Sequence, residues 1–119
     1  MKNYLFFFCF ILCSICAYSQ ETYVCSGDLS DFGRPGDFEK KTYERIEDYF
    51  LKTSNAGNKS IFIVVEETQD FITLVNSTST YPSVFLTFID KKRGTFYEQY
   101  IAPEASTGKP LKGKYTIKN

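Results

Sequence analysis

No histidine occurs in the 119 residues, which closes several chemical routes at once. No Ser-His or Cys-His pair can form and no imidazole can hold zinc. No side chain has an ordinary pKa that suits proton exchange at neutral pH. Carboxylates are the remaining acid/base groups. Glu66 and Glu67 are adjacent, so on a strand they project to opposite faces and cannot work as a pair. Asp48 or Glu98 could face an interior, yet no motif fixes a distance to a second carboxylate. No catalytic residue is assigned, and the chain is not expected to be an enzyme. Asp28, Ser30, Asp31 and Gly33 hint at a calcium loop, but their spacing lacks the alternating oxygen ligands such a loop needs, and Asx-type turns account for the same residues. No metal site and no cofactor are expected.

Binding chemistry is better supplied than reaction chemistry. Tyr43, Tyr49, Tyr97 and Tyr100, with Phe62 and Phe71, are aromatics that suit contacts to another molecule if they reach a surface. Lys91-Lys92-Arg93 forms a basic knob between two apolar runs. From these the candidate binding residues are Phe62, Phe71, Tyr97 and Arg93. The partner is not expected to be nucleic acid: 14 basic residues balance 14 acidic ones, and recognition of a polyanion needs a basic excess.

Residues 1–19 read as an export signal. Lys2 gives a positive start, Leu5 to Ile15 an uncharged apolar run, and Ala17-Tyr18-Ser19 a small-x-small cleavage site. The apolar run is shorter than the roughly 20 residues a spanning helix needs, so no membrane span is expected after cleavage. The expected mature chain is one domain, 20–119, secreted or periplasmic. Three of the four cysteines leave with the signal, and Cys25 remains as a lone thiol. In YVCSG it reads as a small buried hydrophobe.

These residues must be positioned by short strands. Val84 to Ile101 (VFLTFIDKKRGTFYEQYI) reads as a hairpin whose loop, Asp90 to Gly94, closes through a glycine able to take positive φ. Setting Ile89 opposite Thr95 turns Val84, Leu86, Phe88, Phe96, Glu98 and Tyr100 toward the core. Ile61 to Asn76 reads as a second hairpin; pairing Val65 with Ile72 gives an all-apolar core face of Ile61, Ile63, Val65, Ile72 and Leu74. Its other face, with Phe62, Val64 and Phe71, is more apolar than solvent alone would favour. Residues 38–53 fit either a helix, through Tyr43, Ile46 and Phe50, or a strand over 43–53 leading through Asn55-Ala56-Gly57-Asn58 into the next; the strand is favoured because everything after it is a meander. Short strands near Thr22 to Ser26 and Leu111 to Ile117 complete the set.

The fold class expected is therefore all-β: a small antiparallel meander of six or seven strands closing into a barrel. The alternatives are a two-layer β-sandwich, or an α+β fold if 38–53 is helical. The function expected is that of an exported, monomeric, non-enzymatic barrel that binds another protein in the cell envelope or medium, with an inhibitor or immunity role as its sharpest form. The alternative is a lipocalin-like barrel that binds a small ligand.

Overall fold

Eight strands succeed one another in a computed structural model that describes residues 21–78, 83–102 and 108–118. They are β1 (Thr22–Asp28), β2 (Phe38–Ile46), β3 (Tyr49–Thr53), β4 (Lys59–Glu67), β5 (Phe71–Thr78), β6 (Ser83–Asp90), β7 (Thr95–Ile101) and β8 (Leu111–Lys118). Each pairs antiparallel with the next, and β8 pairs back onto β1 from Thr22↔Lys118 to Asp28↔Lys112, so the sheet closes into an up-and-down barrel. The expected all-β barrel is present with one or two more strands than counted. The expected signal, 1–19, lies outside the described residues, as do parts of the connections at 76–82 and 102–110.

The extra strand comes from 38–53, which is neither a helix nor one strand. A two-residue turn at Glu47-Asp48 splits it into β2 and β3, with Ile46↔Tyr49 as the last pair. Glu47 sits at φ 56°, a conformation that non-glycine residues rarely take. Nothing in the Glu-Asp pair announces a turn.

Closure brings β1 and β8 together at two paired glycines, and a Cβ on Gly27 would meet the Leu111 side chain at 2.5 Å. A Cβ on Gly113 would lie 1.8 Å from the Ser26 carbonyl oxygen, so only glycine lets β8 pass against β1 while Phe96 packs behind it. Elsewhere the interior fills with side chains, as an eight-stranded barrel allows. Tyr23, Cys25, Tyr43, Phe50, Phe62, Ile72, Leu74, Ile89, Phe96 and Leu111 form the buried core, with Val64, Phe85 and Tyr115 packed against it. Edge-on aromatic contacts, Tyr23–Tyr115 at 5.1 Å between the paired strands β1 and β8 and Tyr43–Phe62 at 5.6 Å between β2 and β4, tie neighbouring staves together. Cys25 is free and fully buried, and burial first, then the charge of Glu98, pushes its thiol up to about 12.

Two expected registers are displaced, the last hairpin by one residue and the β4–β5 hairpin by two at its turn and, beyond a bulge, by one, and each turns a strand over. In the last hairpin Asp90, not Ile89, pairs with Thr95. Asp90 Oδ1 accepts the amides of Lys92 and Arg93, and Gly94 N–H donates to the Asp90 carbonyl, so the loop has four residues rather than five. Phe85, Thr87 and Ile89 therefore share the inner row with Phe96 and Glu98, while Leu86 and Phe88 look outward. In the other hairpin Thr68 Oγ1 accepts the amides of Asp70 and Phe71, and a bulge between Val64 and Glu66 leaves Val65 without a cross-strand partner. Phe62 and Val64 go inward. Ile61, Ile63 and Val65, expected in the core, are outside.

Candidate functional site

The inner rows of β2, β3, β6 and β7 bring together Lys41, Tyr43, Lys52, Thr87 and Glu98, all buried. Glu98 is the hub. Its Oε1 accepts from Lys41 Nζ at 2.5 Å; its Oε2 accepts from Tyr43 OH at 2.6 Å and lies 3.1 Å from Lys52 Nζ. Tyr43 OH also lies 3.1 Å from Thr87 Oγ1. Lys52 projects among three rings, 5.1 Å from Phe85, 5.3 Å from Phe62 and 6.0 Å from Tyr43, so its charge meets a carboxylate on one side and aromatic faces on the others. Among the described residues no buried side-chain N or O lacks a hydrogen-bond partner.

The electrostatics follow from that crowding. Burial acts to raise the Glu98 pKa, but Lys41, Lys52 and the Tyr43 hydroxyl outweigh it and hold the carboxyl below its ordinary value. Burial moves the Lys52 ammonium down, with Glu98 opposing. The Tyr43 phenol is held well up by burial and by the neighbouring Glu98 charge. Glu98 thus stays ionised at neutral pH and Tyr43 stays protonated. That suits an ion cluster, not a general acid beside a general base.

Opposite ends of the barrel are finished differently. At the end carrying the β2–β3 turn, Arg45 is buried over the Phe50 ring at 4.7 Å, and it binds Glu21 at 2.7 Å and also Glu67, which in turn lies 3.3 Å from Lys91. The β4 bulge is what makes this possible. By skipping Val65 it puts Glu67 on the inner row opposite Ile72. At the other end a 3-10 turn, Ser30–Phe32, is set by Asp28, whose carboxylate accepts from Ser30 N–H at 2.9 Å and Ser30 Oγ at 2.5 Å. This is the Asx chemistry expected of the segment. Beside it a pocket of about 340 Å³ reaches down to Lys41 and Glu98.

The outer surface is divided by polarity. On β4, Ile61, Ile63 and Val65 are 55%, 63% and 63% exposed. Tyr49 and Leu51 of β3 and Val75 of β5 pair beside them, and Leu86 of β6 pairs with Val75. The apolar face then runs into a groove of about 870 Å³ outside β6, β7 and β8, walled by Leu86, Phe88 and Tyr97 and edged by Asp28, Asp90, Lys112 and Lys114. The remaining side carries Lys40, Glu44, Lys112, Lys114 and Lys118, all exposed.

Of the four candidate binding residues, Tyr97 lies in this outer groove, its ring 6.1 Å from Phe88. Phe71 and Arg93 meet Asp90 at the Arg45 end: Phe71 pairs with Asp90, and Arg93 Nη1 lies 3.1 Å from Asp90 Oδ2. Phe62 does not join them. It is 1% exposed and part of the core, because the β4 register turns it inward. The residues that sequence reasoning missed are Ile61, Ile63 and Val65, whose apolar character read as core, and the two lysines around Glu98, Lys41 and Lys52, which no sequence pattern singled out. No family model, curated protein or solved structure matches the chain.

Proposed function

We propose that the protein is a non-enzymatic, exported barrel that binds another protein through the outer face of β3 to β7. One observation carries this reading: an all-apolar row, Ile61, Ile63 and Val65, lies on the outside of a barrel whose core is packed with side chains. A surface row of this kind, continued by Leu51, Val75 and Leu86, is far more apolar than a free-standing surface needs and marks a place of contact. The groove outside β6 to β8 offers a seat for a projecting side chain or short segment of the partner.

A lipid occupant is disfavoured by the rest of the circumference. A membrane-spanning barrel needs an apolar band all the way round, whereas the β8–β1–β2 side carries Lys40, Glu44, Lys112 and Lys114. No helix among the described residues is long and apolar enough to cross a membrane. The partner is thus an exported or envelope protein with an apolar patch of its own, and an inhibitor or immunity role is the narrowest form of the reading. Affinity capture from envelope and secreted fractions tests it, comparing wild type with Ile63→Asp and, on the polar side, Thr42→Asp. Both positions face out, and Ile63→Asp should cost about 1 kcal/mol in strand preference and cross-strand contact with Tyr49 and Val75, too little to unfold the barrel. Loss of a stoichiometric partner in Ile63→Asp alone supports the reading; equal capture by wild type and Ile63→Asp contradicts it.

A further inference from the structure

Strand β4 is held in two registers at once. Next to the turn, Glu66 and Glu67 lie opposite Thr73 and Ile72; beyond the bulge, Ile63 and Val64 lie opposite Val75 and Leu74. The two stretches differ by one residue, and Val65 is the residue in excess. If that excess moves into the β3–β4 loop, the register of Glu66 and Glu67 runs the length of the strand. Val65 then lies opposite Leu74, Ile63 opposite Phe50 and Ile61 opposite Lys52, and the bulge is gone. Lys59, now paired with Thr53, joins the loop of Ser54 to Asn58, which already turns through Gly57 at φ 86°. Glu67 keeps its place opposite Ile72, so its contacts with Arg45 and Lys91 survive the change.

From this we infer that β4 is a register switch, in which a one-residue slip of Lys59 to Val65 turns the row Ile61, Ile63, Val65 inward and brings Phe62 and Val64 to the outer face. The two registers are balanced by opposing terms. The observed one keeps the Phe62 ring edge-on to Tyr43 and 5.3 Å from Lys52 Nζ. It also keeps the loop bonds from Ser54 N–H to the Asn58 carbonyl and from Gly57 N–H to the Ser54 carbonyl, and the bond from Asn76 Nδ2 to the Ile61 carbonyl. The slipped one buries three aliphatic side chains in place of one ring and one valine, and restores an unbroken ladder to β5. It is therefore a minor state, with a population of about 1%, within reach of a ligand that favours either register. The switch itself needs no partner. Its consequence for docking rests on the reading above: a partner seated on Ile61 and Ile63 binds the observed register alone and draws the strand into it.

Chemical-exchange saturation transfer on the isolated ¹⁵N-labelled protein tests the inference, since it detects a minor state in slow exchange. The expected result is a common minor state at the amides of Ser60 to Val65 and of Leu74 and Val75 across from them. Ile63→Lys, which has to bury its charge in the slipped register, should abolish that minor state. Phe62→Thr, whose new side chain favours the outer face, should make the slipped register the major one, a change of about 100-fold in the equilibrium, seen as cross-strand contacts from Val65 to Leu74 in place of those from Val64. Absence of the minor state in the wild type, its persistence in Ile63→Lys, or a Phe62→Thr variant that keeps Val64 opposite Leu74 or does not fold would each overturn it. These spectra contain no partner, so the switch and the docking reading fail separately.

Discussion

Glu98 bears the heaviest electrostatic demand in the molecule, since one buried carboxylate answers two buried ammonium groups and a phenol. Removing it strands Lys52 without a counter-charge and leaves Lys41 only the longer contact to Glu39 at 3.7 Å, at a cost of about 3 to 5 kcal/mol. Glu98→Gln is therefore expected to lower the urea midpoint sharply at pH 7. Its pH dependence has a definite sign. The folded carboxyl holds its proton more weakly than the unfolded one, so below about pH 4.3 the unfolded chain takes up more protons, and the stability Glu98 contributes is lost as pH falls through its folded pKa. The variant should thus start lower and lose less between pH 5 and pH 2, as read from urea midpoints across that range. A variant with the wild-type midpoint at pH 7 would mean that Lys41 and Lys52 have found water instead. In the sequence Glu98 could be suspected of facing inward, but as one of a pair of carboxylates. Its partners were hidden because Lys41 and Lys52 are charged residues in otherwise ordinary strands, and only closure of the barrel brings β2 and β3 opposite β7.

At the level of elements, turns decide which side of a strand is buried. The β2–β3 turn places Glu47 at φ 56°, where a side chain costs about 1 to 2 kcal/mol and glycine almost nothing. Glu47→Gly should accordingly raise stability by about 1 kcal/mol, a rise of roughly 4 to 8 °C in Tm for a domain of this size; an unchanged or lower Tm would show that the turn relaxes around glutamate without strain. Strand existence was legible from the alternation of Phe, Ile, Val and Tyr, and the final hairpin from its Gly94. Facing was not. It hangs on two local hydrogen-bond choices, Asp90 capping a four-residue loop and Val65 bulging from β4. Each shifts pairing by one residue, and a shift of one moves a whole row from core to surface. The odd-numbered row of β4 is the more apolar, so pattern alone sends it inward. Register around a closed sheet overrules that, since Phe62 opposes Phe50 and Val64 opposes Leu74.

As a whole the barrel has one end tied by Arg45, Glu21 and Glu67, another with a pocket over Lys41, and an outside that is apolar on one flank and basic on the other. A filled core together with an apolar flank supports the proposal that the barrel binds a partner protein through the outer face of β4. Site-specific photo-crosslinking in the cells that make the protein tests this most directly, with the reactive side chain introduced at Ile63 and, for comparison, at Thr42 on the polar flank. A single discrete protein adduct at position 63 and none at position 42 is the predicted result. No adduct at 63, or the same adducts at both positions, would contradict it.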